Sequence, residues 1–264
     1  MAASVLQTYS NPTGVSGTTS TLTWDYTPPA GSNRLALVIL ARGYNDGSLD
    51  SFPATGTWGG QTINRTSQLF EGWAGNGELA VYVVTEATIA AMSGGAGSIT
   101  MPDPSVGNAT YQTSIVVFQD AVQTISSSNL GAASGSATLA ITAGSDDLVV
   151  SVANCRGDGS LTLPAGYTSV LDVPGSYGGI EQTDVLVATI AGPQTQALMT
   201  FSGSGLFNAF VIGDNSGGGA TVVNPDGTAT GTSTVTGAAN PIAPETVTAD
   251  MTLDFSTVFL SGKA

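Results

Sequence analysis

The chain has 264 residues, a formal net charge of −14 and only 9% charged side chains, against about 25% in ordinary soluble domains. Its five cations, Arg34, Arg42, Arg65, Arg156 and Lys263, are too few and too scattered for the basic stripe that displaces counterions from phosphates, so neither nucleic acid nor an anionic membrane surface is an expected partner. There is no histidine and a single cysteine, which removes Ser-His-Asp, Cys-His and His-zinc chemistry and any disulfide within the chain.

Taken in order, the sequence reads as short runs of Val, Ile, Leu, Thr, Tyr and Phe separated by Gly, Pro, Asn, Asp and Ser clusters, the pattern of an all-β protein. Residues 1–19 resemble an arm with a weak strand at 4–9. The opening MAASVLQTYSNPTG shows neither the basic n-region nor the apolar core of a secretory signal, and no apolar run approaches the roughly 18 residues needed to span a bilayer. A weak strand at 20–26 precedes a strong one at 35–41 (LALVILA). A long loop region, 43–77, holds a weak strand at 66–71. Strong strands at 78–85 (ELAVYVVT) and 113–118 (TSIVVF) flank a possible helical turn at 86–93 and a weak strand at 97–101. Further along, weak strands at 136–142, 168–172 and 196–201 alternate with strong ones at 147–153 (DLVVSVA), 184–190 (DVLVATI) and 207–212 (FNAFVI).

Two stretches echo each other. Residues 20–48 and 136–160 both run from an alternating Ser/Thr strand through a Gly-Ser turn and two polar residues to a long apolar strand, then Arg-Gly and Asp-Gly-Ser. The parallel extends to 78–101 against 181–201 and to 114–120 against 209–214, so an internal duplication is expected, with repeats near 20–120 and 136–214. Arg156-Gly157-Asp158 then falls where Arg42-Gly43 falls in the first copy. The tripeptide reads as a turn and not as an adhesion signal. Cys155, with no basic partner to activate it, reads as a core cysteine.

Two copies of about four strong strands predict a two-sheet β-sandwich, a jelly roll in type, over 20–214. A sheet with one face in water should alternate apolar and polar residues. LALVILA, ELAVYVV and DVLVATI do not, so their second faces must be covered, either by the chain's own loops or by a neighbouring subunit. After Gly213-Asp214 the chain becomes Thr- and Gly-rich. Residues 215–264 carry few large apolar groups and read as an arm or small β appendage. Its apolar members, Val222, Val223, Val235, Met251, Leu253, Phe255, Val258, Phe259 and Leu260, are the candidate inter-subunit contacts.

Candidate chemistry is sparse. Glu71, Glu78 and Glu86 surround a strand flanked by Trp58 and Trp73, the ingredients of a sugar cleft, but glycosidases need two carboxyls at a set separation. Turn acids and core tryptophans are the simpler reading. The glycine clusters lack the Lys-Ser/Thr of a phosphate loop. Asp25, Asp46, Asp50 and Asp146-Asp147 form no 12-residue calcium loop. Asn64-Arg65-Thr66 and Asn108-Ala109-Thr110 match glycosylation sequons and read as turn residues. No catalytic, cofactor-binding or metal-ligating residue is assigned, and no cofactor is expected.

The segments GSNRLALVIL, TWGGQ with Leu69, ELAVYVV, SIVVFQD and LTLPAGYTSV resemble a β-sandwich domain common in virion proteins of tailed bacteriophages. The resemblance covers roughly 20–214. It implies a virion structural role, as capsid decoration or part of a tail or fibre, located in the particle after assembly in the host cytoplasm. The partners it implies are the major capsid protein or other virion proteins, with a homo-oligomer, a trimer for instance, as the working form. It implies no enzyme. The alternative is a tail-fibre or adhesin-like module that binds a glycan receptor through Tyr44, Trp58, Trp73 and Tyr177.

Overall fold

A computed structural model describes residues 3–16, 21–44, 52–70, 77–92, 97–102, 108–156, 160–174 and 183–215. Within them the elements follow as β1 (Ser4–Ser16), β2 (Thr21–Tyr26), β3 (Leu35–Tyr44), β4 (Thr55–Trp58), β5 (Gln61–Phe70), β6 (Gly77–Thr85), α1 (Glu86–Ala91), β7 (Gly97–Pro102) and β8 (Asn108–Gln119). The second half continues with β9 (Ser126–Ala143), β10 (Leu148–Arg156), β11 (Leu161–Thr162), β12 (Thr168–Val173), β13 (Thr183–Ala191) and β14 (Gln194–Ile212). Each expected strand overlaps an observed one, and the helical turn is α1. No helix among the described residues is long and apolar enough to cross a membrane. Met1–Ser216 form one compact unit, and Gly217–Ala264 are a separate one.

The fold is all-β, with two antiparallel sheets packed together. One has the order β1-β8-β3-β6-β5-β4-β7-β2; the other runs β11-β14-β10-β13-β12, with β9 beside β14. Two bent strands let each sheet fold back on itself. The first part of β5 (Gln61–Asn64) pairs with β4, while Arg65–Phe70 pair with β6, with a bulge between Arg65 and Ser67. In β14, Gln194–Phe201 pair with β9, and Gly205–Ile212 pair with both β10 and the earlier part of β9.

Three cores result. One lies between the two sheets and joins Leu37, Ile39, Val81 and Phe118 to Val150, Val152, Val187 and Phe210. A second fills the fold of the first sheet, where Val38, Leu40, Tyr82 and Val117 meet Trp24, Trp58, Ile99 and Met101 from β2, β4 and β7. The third fills the fold of the second sheet, where Val149, Ala153, Phe207 and Ala209 meet Leu139, Ala197, Met199 and Phe201.

This arrangement answers the question posed by the non-alternating strands. Leu35 to Ala41, Leu79 to Tyr82 and Val185 to Ala188 are buried on successive residues, as strands covered on both faces must be. One cover is the opposite sheet and the other is the folded-back part of the same sheet. Part of the first sheet's cover comes from the expected loop region 43–77, which supplies Phe52, Trp58 and Ile63, the last two from strands; these faces are buried within the one chain.

Residues 4–16, expected within an arm, are instead an edge strand paired along β8 from Ser4↔Gln119 to Ser16↔Asn108. The two runs expected near 196–201 and 207–212 are one strand, β14, interrupted by irregular register. Trp58-Gly-Gly-Gln61 is the β4–β5 hairpin. Its two glycines have φ of +54° and +79°, the pair of positive values that a two-residue type I′ turn demands.

Because one core joins the two sheets, both halves should unfold together. All three tryptophans lie in the first half of the sequence, whereas Phe210 lies in the second and is fully buried. Phe210→Ala is expected to cost about 3–5 kcal/mol and to lower the urea midpoint seen by tryptophan fluorescence as much as that seen by far-ultraviolet dichroism. A fluorescence midpoint that stays in place would mean that the halves unfold separately.

Candidate functional site

Strand ends from both sheets converge at one end of the sandwich. Gly43 is opposite Gly77, Tyr44 opposite Ala109, and Phe70 opposite Glu78 in the first sheet. Arg156 is opposite Thr183, and Val173 opposite Val185, in the second. Gln112 Nε2 donates to Val173 O at 3.0 Å, tying the start of β8 to the end of β12. This end therefore carries the connections between β5 and β6, β10 and β11, and β12 and β13.

The chemistry at this end is a buried ion pair. Arg42 on β3 and Glu78 on β6 are cross-strand partners, and both are fully buried. Arg42 Nη2 donates to Glu78 Oε2. The other carboxylate oxygen accepts from Phe52 N at 2.8 Å and from Gln68 Nε2 at 2.6 Å. The Arg42 guanidinium also sits over the Phe52 ring, 4.8 Å from its centroid, and near Tyr111 at 6.0 Å. Arg65 Nη1 donates to Phe52 O, and Tyr82 donates its hydroxyl to Pro53 O at 2.6 Å. The cluster thereby pins Phe52 and Pro53 across the sheet.

Burial pushes the Glu78 carboxyl above its ordinary range, and the Arg42 charge and the hydrogen bonds from Gln68, Phe52 and Arg42 pull the other way without cancelling it. With both oxygens engaged and no exposure, Glu78 holds the chain in place and is not set out toward a substrate. Tyr82 is likewise raised, chiefly by burial.

The opposite end holds the Ser-Asn-Arg-Leu turn. Asn33 and Asp120 both have positive φ, 47° and 54°, which these residue types tolerate better than most. Ser32 Oγ donates to Asp120 Oδ1 at 3.1 Å. Glu86 accepts from Arg34 N at 2.6 Å and from Arg34 Nε at 2.9 Å, and Gln123 Oε1 accepts from Glu86 N at 2.6 Å. Burial acts to raise the Glu86 carboxyl, but the hydrogen bonds and charge of Arg34 outweigh it, and the group lies below its ordinary value. In the second half, Asp147 Oδ2 accepts from Gly144 N at 2.7 Å, a brace of the turn before β10.

The residues singled out from the sequence divide as follows. Trp58 is fully buried, and its indole donates to Tyr26 O at 3.1 Å; packed in the first-sheet fold, it cannot face a ligand, which corrects its place in the glycan-binding set. Tyr44 ends β3 at the loop-bearing end. Trp73, Tyr177 and Glu71 lie outside the described residues, as do Val222, Val223, Val235, Met251, Leu253, Phe255, Val258, Phe259 and Leu260. Cys155 is buried and donates to Ser204 O at 3.4 Å, in keeping with a core cysteine. Arg156 is the last residue of β10, and Gly157 and Asp158 lie outside the described residues. Among the described residues, no group of three or more metal-ligating side chains occurs.

The Arg42–Glu78 pair is the element that residue-by-residue reading missed. Its only signal was the matching of Arg42 at the end of one apolar strand with Glu78 at the start of the next. No family model matches the chain, and no curated protein or solved structure matches it at a significant level.

Glu78→Gln leaves the Arg42 charge buried without its counter-ion, and removing one partner of such a pair costs about 3–5 kcal/mol. Replacing both by apolar residues, Arg42→Met with Glu78→Leu, should recover much of that loss in a urea titration. Recovery no greater than the single variant's would show that the charge pair itself carries the stability.

The two carboxylates should also respond oppositely to pH. Glu86, lowered in the fold, contributes stability that is present above its unfolded value and lost as pH falls through its folded value. Glu78, raised in the fold, contributes stability that is present below its unfolded value and lost as pH rises through its folded value. The stability gap between wild type and Glu86→Gln should therefore be larger at neutral pH than in acid. An unchanged gap would show that Arg34 does not hold Glu86 charged.

Proposed function

We propose that the protein is a structural component of a tailed-phage particle that acts as capsid decoration or cement, with no catalytic centre. The observation that carries the reading is the burial of β3, β6, β10 and β13 on both faces within one chain. Such a body is a self-sufficient slab, and its ionisable groups at the two ends serve to hold loops. A slab of this kind suits a part that works by position and contact area. The low charge density and the resemblance of the motifs to phage virion β-sandwiches point the same way.

In this reading residues 215–264 reach neighbouring virion proteins, the major capsid protein first. The recurrence of pairing order, with β3 between β8 and β6 and β10 between β14 and β13, supports treating the halves as copies of one jelly-roll-like unit.

A second reading is favoured by the convergence of strand ends. Tyr44 ends β3 at the same end of the sandwich as the strand ends that flank the segments holding Trp73 and Tyr177, as a glycan-binding tail-fibre module would require.

The test is the composition of the particle. Purified particles should contain the chain in stoichiometric copy number, and particles made without it should release their DNA at a lower temperature. A chain found only in the soluble fraction overturns the virion reading. A saturable hit on a glycan array, weakened by Tyr44→Ala and Tyr177→Ala, would select the second reading over decoration.

A further inference from the structure

Every open sheet needs its edges managed, because an unpaired row of N–H and C=O groups is a template for another strand. Among the described residues, four edges of this fold carry a recognised device. β1 contains Pro12 and a bulge near Val5. β2 carries the exposed Asp25. β12 carries the exposed Asp172 and a bulge between Ser169 and Leu171. β11 is only two residues long.

The fifth edge has bulges, as β1 and β12 do, but it is long and carries neither charge nor proline. β9 pairs with β14 on one side and with no other described strand. Across its 18 residues, SSSNLGAASGSATLAITA, there is no charge and no proline. Its register with β14 is irregular near 131–132, between Ser134 and Gly135, where Gly135 has a φ of +63°, and near 141–142, and Ser136–Ala140 lie in continuous register. β14 has no charged residue either.

Two of the exposed large apolar side chains, Leu163 and Leu198, lie on β14 itself or just beyond β11, its other neighbour. Beside the edge lies a groove of about 360 Å³ lined by Ser126, Ser127, Ser128, Ala140, Ile141 and Thr142.

We infer that the free edge of β9 over Ser136–Ala140 is the site where a second copy of this chain adds, edge to edge and antiparallel. A strand paired antiparallel with itself is two-fold symmetric, so every backbone bond across the dyad is made twice. With the dyad at Thr138, Thr138 meets its own copy, Ala137 meets Leu139 and Ser136 meets Ala140, so that opposed side chains share a face. Charge selects the same surface: at a net charge of −14 two copies repel over most approaches, and β9 with β14 offers a charge-free face. The groove beside Ala140 takes side chains of the incoming copy. This inference is independent of the virion reading, since it needs only the edge.

The test uses the full chain. Light-scattering mass over a dilution series should show a reversible species of twice the chain mass. Thr138 is exposed, so Thr138→Asp places two like charges at the dyad and should weaken the dimer about tenfold or more, with an unchanged thermal midpoint showing that the chain is folded. Mixing Thr138→Asp with Thr138→Lys should restore it. A chain that is monomeric throughout overturns the inference. So does a dimer that Thr138→Asp leaves intact, including one that disappears only when residues 217–264 are removed.

Discussion

The fold rests on a demand that its inner strands make: β3, β6, β10 and β13 are apolar on both faces, so each inner sheet must find two covers. A single sandwich supplies one. The protein supplies the second by bending β5 and β14, so that each sheet returns over its own outer face. At about 25 cal/mol per Å² of apolar surface removed from water, leaving either outer face open would forfeit a large share of the driving force. The bends at β5 and within β14 are thus as necessary to the fold as the central strands. The small residues at the second bend follow from this. A Cβ at Gly205 would lie 2.4 Å from the Phe201 ring and 2.5 Å from Asn154 O, so the chain can turn there only without a side chain.

Apolar packing between two flat sheets does not by itself set how one lies on the other. Polar groups placed in the seam do so. Asn208 Nδ2 donates to Ser67 Oγ between β14 and β5, and Gln112 bonds the backbone at Val173. Both donors are buried, where an amide without a partner is costly, so sliding the sheets apart would expose that cost at once. The Arg42–Glu78 pair acts similarly on the first sheet, because its bond to Phe52 N fixes where the chain returns after the connection from β3.

Local pattern revealed most of the strands, because Leu35–Ala41, Leu79–Val84 and Leu148–Ala153 are dense in β-branched and large apolar residues. It also revealed that their second faces were covered, since strict alternation fails in those runs. What local pattern could not supply was the identity of the cover, which depends on pairings such as β2 with β7 that join residues about 75 positions apart. The first half of β9, SSSNLGAA, escaped notice for a related reason. Its Ser, Gly and Ala have little strand preference, and it is extended because Phe207–Val211 pair with it. Trp58 stood in two readings, as a core tryptophan and in the alternative glycan-binding set, and the core reading holds. An aromatic next to a glycine turn looks available to a ligand, yet the type I′ turn directs it into the core beside Tyr26, with ring centroids 5.7 Å apart.

Charge placement completes the picture. In the described strands, charged residues stand where they hold a strand end, as Arg42 and Glu78 do, or where they mark an edge, as Asp25 and Asp172 do, while Arg65 within β5 donates to Phe52 O. The remainder lie largely in turns, where Asp120, Asp147 and Glu86 accept hydrogen bonds that close the connection. A chain this poor in charge has little else with which to keep its edges apart from other strands. The one long edge left without charge or proline, β9, therefore reflects tolerance of a contact at that place or use of one. The uncharged strand behind it and the apolar groups beside it extend the same character over a surface larger than one edge, which argues for use.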